Sequence, residues 1–360
     1  MIQLSERTKY FTDSVIRRMT RVCNQYGAVN LSQGFPDNDP PKQLMDRLEK
    51  VAHTGPHQYA ITWGAPKTLD ALAKKIEHFS GIKVDPQQEL CITCGGTEAM
   101  MCAATPIYVP LHVPDFSFDE NELENAFKQG AKALILCNPS NPSGKVFTRD
   151  ELLAIARIVE KYNAFVITDE VYEHIIFEPY HHTYFATLPG MKDRTVMCNS
   201  LSKTYSITGW RLGYVCAPAY VMDRVRKVHD FLTVGAAAPL QEAVIAGLEL
   251  PDSYYQGVRD LFTHRKNIFC KGLDDIGLKY YEPQGTYFVM VDIGEFGYES
   301  DYDFCIDLAR DVKVGAVPGS SFFKEPVNNY IRLHFAKSDE NLHEALNNLS
   351  KIREIIKVKK

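Results

Sequence analysis

The sequence predicts an α/β fold in which a mostly parallel sheet is sandwiched between helices, together with a smaller α+β domain. Three observations carry this prediction. Strand and helix patterns alternate through the middle of the chain, which is typical of βαβ units. The 360 residues exceed what one simple core usually holds, so two domains are expected. The C-terminal third then changes to a long helix, separate strands and a last capped helix.

The strands of the large sheet are predicted from short apolar or β-branched runs. Ala133–Cys137 is continuously apolar, which is typical of a strand buried on both faces. Downstream of it, Thr148 and Glu151 have the spacing of a capping box, so a helix is expected to begin there. Its apolar stripe would contain Leu152, Ile155, Ala156 and Val159. The predicted strands are 89–93, 133–137, 164–168, 195–198 and 212–217.

The C-terminal third carries different signals. Residues 254–273 predict a long helix, and residues 287–293 and 330–335 predict strands. Ser338 or Asp339 can cap a last helix. The apolar stripe of that helix would be Leu342, Ala345, Leu346, Leu349 and Ile352. These elements indicate the smaller α+β domain.

The carboxyl ends of the predicted strands are the first place to look for a site. Ligands of parallel α/β sheets bind beyond those ends, which share one edge of the sheet. A glycine turn opening a short helix (98–104), an Asn/Pro loop, a carboxylate and a lysine are therefore expected to converge. In chain order they are Gly95-Gly96-Thr97, residues 138–144, Asp169 and residues 200–203.

Lys203 alone would most simply be a surface charge, but its neighbours suggest a binding site. Serine and threonine side chains surround it, and Arg211 follows. Arg211 and Ser200 could grip a phosphate, since arginine presents a planar fork of donors. The turn at residues 95–97 could offer backbone N–H groups to the same phosphate. A plain tight turn explains that glycine pair equally well.

Asp169 and the Asn/Pro loop each allow two interpretations. Asp169 directly follows a predicted strand, where it could cap a helix or hold a pyridine nitrogen protonated. Residues 138–144 contain two Asn-Pro pairs and could form an ordinary turn-rich loop. X-Pro bonds also permit cis geometry, which would determine where the Asn141 amide points.

Composition argues against several classes of protein. A net charge of −5 gives no electrostatic reason to expect nucleic acid or an anionic membrane, and no apolar stretch approaches a membrane span. Cys91 and Cys94 form a CxxC, but no second pair or nearby histidine completes a zinc set, so no metal is expected. Nine scattered cysteines and an N-terminus without a signal-peptide pattern favour a reducing, cytoplasmic location.

A set of motifs runs along nearly the whole chain in a fixed order. The most specific is the lysine segment SLSKTYSITGWRLG (200–213). The others are NLSQGFPDNDPP (30–41), QYAITWGAP (58–66), CGGTEA (94–99), NPSNPSGKVF (138–147), ITDEVYE (167–173), PQGTYFVMVDI (283–293), VPGSSF (317–322) and YIRLHFA (330–336). Together they resemble the class I/II pyridoxal-phosphate aminotransferases of fold type I. The resemblance implies an enzyme that uses pyridoxal 5′-phosphate to exchange amino groups between L-amino acids and 2-oxo acids.

The resemblance also implies roles for the candidate residues. Lys203 would hold the cofactor as a Schiff base and, once freed, move the proton at the substrate α-carbon. Asp169 would pair with the pyridine nitrogen. Arg332 would grip the substrate α-carboxylate, although a strand arginine can equally be an ordinary half-exposed charge. Tyr172 and Asn141 would bind the ring hydroxyl, and Asn141 and the Gly34 backbone would also assist Arg332. The implied phosphate residues are Gly96, Thr97, Ser200 and Arg211, with Gly95 shaping the turn.

Domain division and assembly follow from the same resemblance. The large cofactor-binding domain would span residues 46–253, and the small domain would combine residues 1–45 with 254–360. Tyr59 would reach the phosphate of the neighbouring subunit. The active unit would therefore be a homodimer with shared active sites.

The chain departs from the family pattern after residue 99. There the family continues its helix and forms a strand, whereas residues 100–105 here lead directly into residues 106–110. The difference amounts to roughly 30 residues, including the aromatic residue that would stack on the pyridine ring. Losing a central strand would remove more burial than a marginally stable domain tolerates. We therefore hypothesise a further segment in the natural protein, rather than a true deletion variant.

Other functions and the substrate stay open at this point. A β-eliminating lyase acting on cysteine conjugates or cystathionine-like substrates would use the same residues as a transaminase. A regulator that senses a ligand with this fold would need an added DNA-binding segment, whereas the chain begins almost directly with the family's N-terminal arm. Trp63, Phe35 and Tyr287 would suit a neutral or aromatic substrate, although each could be a core residue. We expect broad specificity, with glutamate and 2-oxoglutarate as one couple.

Overall fold

The structure is a computed structural model that describes residues 14–100, 107–325 and 327–356. The chain divides into two compact units. The central unit contains Phe35–Thr263 and Pro283–Thr286. The terminal unit contains Met1–Gly34, His264–Glu282 and Tyr287–Lys360. The domain boundaries expected at residues 46 and 253 stay a prediction.

The helices and strands follow the alternation expected from the sequence. The helices are α1 (Val15–Tyr26), α2 (Lys42–Thr54), α3 (Pro66–Ser80), α4 (Gly96–Met100), α5 (Glu120–Lys128), α6 (Arg149–Lys161), α7 (Ala219–Thr233), α8 (Ala238–Leu248), α9 (Asp252–Ile276), α10 (Asp301–Asp307), α11 (Asp339–Leu349) and α12 (Ile352–Ile355). The strands are β1 (Val29–Asn30), β2 (Leu90–Thr93), β3 (Ala133–Cys137), β4 (Phe165–Asp169), β5 (Thr195–Ser200), β6 (Gly213–Cys216), β7 (Tyr280–Tyr281), β8 (Phe288–Asp292), β9 (Val314–Gly315), β10 (Val317–Pro318) and β11 (Tyr330–His334). The predicted continuation of α4 to residue 104 lies outside the described residues.

The central unit is built on one sheet with the strand order β2-β6-β5-β4-β3. β3, β4 and β5 are parallel, and β6 runs antiparallel to both β5 and β2. All strands but β6 therefore point the same way, which confirms the mostly parallel sheet. The carboxyl ends of β2, β3, β4 and β5 and the start of β6 consequently share one edge.

Both faces of this sheet are covered by helices. Consecutive strand residues point to opposite faces, so Ile92, Met197 and Tyr214 share one core with α3 and α8. Their chain neighbours Cys91, Cys198 and Val215 pack with Met222 of α7 on the other face. This arrangement confirms the predicted sandwich.

The helix α6 begins where the capping box predicted. The Thr148 side chain accepts a hydrogen bond from the Glu151 N–H, and Oε2 of Glu151 accepts from the Thr148 N–H at 2.8 Å. The predicted apolar stripe is buried against Leu136 and Val166 of the sheet. Its members are Leu152, Ile155, Ala156 and Val159.

The expectation that β3 is buried on both faces is wrong. Ala133 and Ile135 are exposed, Ile135 by 47%. The reason is the position of β3 at the end of the sheet, because no further described strand pairs with its outer side. An apolar cavity of about 210 Å³ lies along it, lined in part by Val109, Leu111 and Ile135.

The terminal unit contains an antiparallel sheet with the order β10-β11-β8-β7, and a short parallel pair of β1 and β9. The side chain of Ser338 caps α11 by accepting from the Asn341 N–H at 3.3 Å. The predicted last helix extends too far, because α11 ends at Leu349 and Ile352 opens the separate helix α12. No described helix has the length and apolar character that a membrane span requires.

Candidate active site

The shared sheet edge brings the predicted candidates of the central unit together. Thr93, at the end of β2, and Ser200, at the end of β5, both pair with Gly213 at the start of β6. Asp169, at the end of β4, pairs with Cys137 on one side and Cys198 on the other. The glycine turn, the Asn/Pro loop, the carboxylate and the lysine segment therefore leave the sheet side by side.

The loop after β2 lies directly against Arg211 and β6. Gly95 has a φ of +82°, and a Cβ there would lie 2.8 Å from Arg211 Cζ. A Cβ on Gly213 would lie 2.6 Å from the backbone of both Gly95 and Gly96. Side chains at 95 and 213 are thus excluded for different reasons, the first by backbone conformation and a guanidinium, the second by backbone contact. The result is a cradle that a Cβ would fill.

Hydroxyl groups complete the same cradle. Ser200 Oγ accepts from the Ser202 N–H at 3.1 Å and donates to the Leu212 carbonyl at 3.3 Å. Ser202 Oγ is buried and has no hydrogen-bond partner among the described residues. Arg211 is exposed, adopts a left-handed φ of +55° and donates to the Thr208 carbonyl at 2.9 Å. A guanidinium, hydroxyls and an open glycine turn at one place suit a phosphate group.

Asp169 and Lys203 act on each other electrostatically. Burial raises the pKa of Asp169, whereas a hydrogen bond from the Val171 N–H and the positive charge of Lys203 oppose that rise. Lys203 is half-buried rather than a fully solvated surface charge. The helix-cap interpretation of Asp169 is wrong, because residues 171–174 form a turn. A half-buried carboxylate whose pKa burial raises is suited to a cationic partner.

Tyr172 and Asn141 flank Asp169. Tyr172 is buried in the turn that follows β4, and its carbonyl accepts from the Ile175 N–H at 2.9 Å. Asn141 is exposed in the loop after β3, in which both Asn-Pro peptide bonds are cis. The Asn138 N–H donates to the Asp169 carbonyl at 3.0 Å and its side chain accepts from Phe147 N–H at 3.0 Å. These bonds hold the loop beside the carboxyl end of β4.

A buried ion pair supports the turn that contains Tyr172. The motifs of the sequence did not predict this pair. Lys75 Nζ lies 2.6 Å from Glu173 Oε1, and Tyr184 donates to the other oxygen of Glu173 at 2.8 Å. Although burial raises the pKa of Glu173, the charge of Lys75 and the contact with His174 hold it well below its ordinary value. The sequence signal was a lysine inside the apolar stripe of α3.

A second buried pair, Glu98 and His229, lies beside the glycine turn. Glu98 Oε1 is 2.6 Å from His229 Nδ1. In the sequence Glu98 is only a residue of the predicted helix 98–104, and no local signal links it to His229, because the pair joins residues far apart in the chain.

An exposed apolar patch surrounds the Tyr59 segment. Tyr59 is 89% exposed and Phe231 is 92% exposed. Ile61, Leu232 and Val234 are other exposed apolar side chains of the same two segments. The two segments adjoin, because the Thr62 hydroxyl donates to Asp230 at 3.2 Å.

Arg332 lies in the terminal unit and is buried. Only 1% of its surface is exposed, so the half-exposed strand charge considered in the sequence is wrong. Its guanidinium carbon lies 4.1 Å from the Phe288 ring centre and 4.8 Å from that of Phe322, and Nη2 donates to the Ser32 carbonyl at 3.1 Å. Phe288 also closes over Gly34, where a Cβ would lie 2.5 Å from the ring. Aromatic faces thus fix the plane of the guanidinium.

The three candidate specificity residues differ in environment. Tyr287 is fully buried and donates to the Gly34 carbonyl at 3.1 Å, which gives it a structural role in the core. Trp63 is partly buried under the guanidinium of Arg226, at 4.9 Å from the ring centre. Phe35 is 36% exposed.

Comparisons with known proteins bear on the whole chain. The sequence profile of the family described as "Aminotransferase class I and II" matches residues 99–349. A probable N-succinyldiaminopimelate aminotransferase (DapC) of Mycobacterium tuberculosis strain H37Rv is 32% identical, covering 97% of this chain and 98% of its own. A kynurenine–oxoglutarate transaminase of Dictyostelium discoideum is 29% identical, covering 97% and 96%. The crystal structure of YbdL from Escherichia coli, whose reactivity identified a methionine aminotransferase function, matches with a TM-score of 0.93 at 29% identity, covering 98% and 100%.

The alignment with the mycobacterial relative is longer than this chain. It runs over 390 positions and includes 97% of the 360 residues, which is about 349. About 40 aligned positions of that relative therefore have no residue here. The departure from the family pattern after residue 99 includes residues 101–106, which lie outside the described residues.

Proposed function

This chain belongs to the aminotransferase class I and II family, and on that premise we propose that it transfers the amino group of a broad range of L-amino acids, including neutral and aromatic ones, to a 2-oxo acid such as 2-oxoglutarate. The family membership makes it a pyridoxal-phosphate-dependent transaminase. The observation that carries the residue assignments is the convergence of Lys203, Asp169 and the Arg211 cradle on one sheet edge.

The residues of the central unit suit the cofactor. When bound, pyridoxal phosphate supplies a cationic ring that draws electrons from the substrate α-carbon. Lys203 would hold it covalently, and its Nζ, when free and neutral, would take the α-proton and return it to the cofactor side. The phosphate would bind the cradle, and Tyr172 and Asn141 would bind the ring hydroxyl. The cradle residues are Gly96, Thr97, Ser200 and Arg211, with Gly95 shaping the turn.

Asp169 has the environment that a ring-nitrogen partner needs. Burial alone raises the pKa of its carboxyl group, which favours the neutral acid. A protonated pyridine nitrogen beside it would offset this cost and keep the carboxylate charged. The carboxylate would in turn keep the nitrogen protonated, so each partner stabilises the charge of the other.

Arg332 would bind the substrate α-carboxylate, assisted by Asn141 and the Gly34 backbone. An arginine can bind a carboxylate through two parallel hydrogen bonds, provided that its plane is fixed. The rings of Phe288 and Phe322 supply that constraint. Burial in an aromatic surrounding also strengthens the interaction with a carboxylate.

Tyr59 supports a homodimer with shared active sites. Its side chain is almost fully exposed in one chain, within a group of exposed apolar side chains of the kind that often marks an interaction site. A second copy would cover this patch and receive the Tyr59 hydroxyl at its own phosphate. We further propose the domain division at 46–253 and a cytoplasmic location, which the free thiols of the eight described cysteines suit.

The substrate range can be measured in single turnovers. The named activities of relatives extend from a succinylated diamino acid to kynurenine, which supports breadth but selects no donor. Mixing the loaded enzyme with single amino acids should convert the cofactor absorbance to that of its amino form for methionine, aromatic donors and glutamate. Addition of 2-oxoglutarate should then restore the original cofactor absorbance, which would complete the transfer. Sustained pyruvate and ammonia release without a 2-oxo acid would instead identify the lyase.

A further inference from the structure

The buried pair of Glu98 and His229 has no role in the function proposed above. Their side chains are 7% and 2% exposed, and their charged atoms lie 2.6 Å apart. Placing two ionisable groups inside a protein is costly unless hydrogen bonds satisfy them. The partners of this pair are therefore informative.

The Glu98 side of the pair closes the glycine turn. Its second oxygen, Oε2, accepts a hydrogen bond from the Cys94 N–H at 2.6 Å. Cys94 immediately precedes Gly95, whose left-handed backbone shapes the cradle. Thr233 of α7 donates to Glu98 Oε1 at 3.0 Å. The carboxylate thus ties the start of the turn to α7.

The His229 side of the pair reaches the Tyr59 segment. Nε2 faces the Thr62 carbonyl at 3.0 Å, and a carbonyl can only accept, so Nε2 carries a proton. Nδ1 faces a carboxylate oxygen, which also accepts. This geometry favours a ring in which both nitrogens carry a proton. Burial lowers the pKa of His229, but its bonds to Glu98 and Thr62 and the charge of Asp230 raise it overall.

Thr62 is held at two further points. One is the hydrogen bond that its hydroxyl donates to Asp230 at 3.2 Å, and the other is the close approach of Gly235, where a Cβ would lie only 3.2 Å from the Thr62 carbonyl oxygen. Thr62 follows Tyr59 by three residues. The end of α7 therefore anchors the segment proposed to serve the neighbouring subunit as well as the turn that serves its own.

We propose that Glu98 and His229 form a positioning pair that sets the geometry of the phosphate cradle and of the Tyr59 segment together. The pair would fix the position of the glycine turn, which binds the phosphate of its own subunit, relative to the Tyr59 segment, which would bind the phosphate of the neighbouring subunit. This inference rests on the proposed cofactor site. It concerns the phosphate, because the hydrogen bonds of the pair lead to the glycine turn at Cys94 and to Thr62.

The experiment compares pyridoxal phosphate with pyridoxal, which lacks the phosphate. Glu98→Gln and His229→Gln are purified as full chains, freed of cofactor and titrated with each compound. We expect the dissociation constant of pyridoxal phosphate to rise about tenfold, the scale seen when a supporting partner of a site is removed. The dissociation constant of pyridoxal should change less than about twofold. Equal losses for both compounds, or no loss for either, would overturn the proposal.

Two further variants guard against a folding defect. Thr233→Val removes one hydrogen bond to Glu98 without stranding a charge, and it should show a smaller loss confined to pyridoxal phosphate. Glu242→Gln breaks the Arg47 ion pair of 2.6 Å, away from the turn, and should leave both affinities unchanged. If the wild type itself forms no lysine-linked adduct, the proposed function fails; if it does and the variants show no phosphate selectivity, only the positioning role fails.

Discussion

Gly95 and Arg211 are in direct apposition: a Cβ on residue 95 would lie 2.8 Å from Arg211 Cζ and overlap its Nη2 atom. The contact joins the turn after β2 to the residue that precedes β6 by two positions. It explains why a glycine is needed at a place where the sequence alone allowed an ordinary tight turn.

Gly95→Ala should therefore weaken cofactor binding. The new methyl group would push the guanidinium out of the cradle, and the φ of +82° adds about 1 to 2 kcal/mol of strain. Gly81→Ala is a matched control, because Gly81 has a φ of +71° but open space around its Cβ position. Both variants should lose similar unfolding free energy in urea. Only Gly95→Ala should bind pyridoxal phosphate more weakly, and equal affinities would contradict the cradle.

Lys203→Ala should leave a protein that can still bind the cofactor but lacks the visible absorbance of a lysine adduct. Lys74→Ala, which changes an exposed lysine of α3, should keep that absorbance. Borohydride reduction of the wild type followed by peptide mass analysis identifies the modified lysine. The assignment is wrong if the cofactor is found on any other residue.

Asp169→Asn should lower transaminase activity by ~100-fold or more, the scale of one lost electrostatic contact to the reacting system. It should also change the pH dependence of the cofactor-free protein. The folded pKa of Asp169 is raised, so the folded state holds its proton longer than the unfolded chain, whose pKa is about 3.9. The contribution of Asp169 to wild-type stability is therefore present below the unfolded pKa and is lost as pH rises through the raised folded pKa.

Urea unfolding of the two cofactor-free proteins at acid and neutral pH checks this sign. The asparagine variant should gain stability relative to the wild type on going from about pH 4 to 7. A relative loss over that interval would mean that Asp169 is stabilised as a carboxylate by the protein alone.

Arg332→Lys should reduce kcat/KM for L-amino acids by about 100-fold, because lysine cannot bind a carboxylate through two parallel bonds. The matched comparison uses the amine that corresponds to each amino acid without its carboxylate. For that amine the variant and the wild type should differ little. A similar loss for both substrates would indicate damage to the buried aromatic surroundings rather than a lost carboxylate contact.

The natural protein should have an intact mass above 40.8 kDa. The excess should correspond to about 30 to 40 additional residues. The exposed Ile135 and the apolar cavity beside β3 are what an absent neighbouring strand would leave. Mass spectrometry of the protein from its native cells decides the matter. A mass of 40.8 kDa, apart from cofactor, would establish a true deletion variant with β3 as a real edge strand.

Local signals were sufficient for most elements. The capping box at Thr148 and Glu151 and the apolar run of β4 involve neighbours in the chain, so the sequence contains the whole interaction. The apolar run of β3 predicted a strand correctly but predicted its burial wrongly. Burial depends on what lies beside the strand, and a run of five residues carries no information about that.

By itself the sequence determined the family, the mostly parallel sheet and the row of candidates at its carboxyl edge, because motif order and strand direction are properties of the chain. Only the tertiary structure decided that Arg211 closes on Gly95, that Arg332 is buried between aromatic rings, and that Glu98 meets His229 across 131 residues. Such contacts join side chains distant in sequence, and their energy depends on burial and distance. Neither quantity exists until the chain has folded.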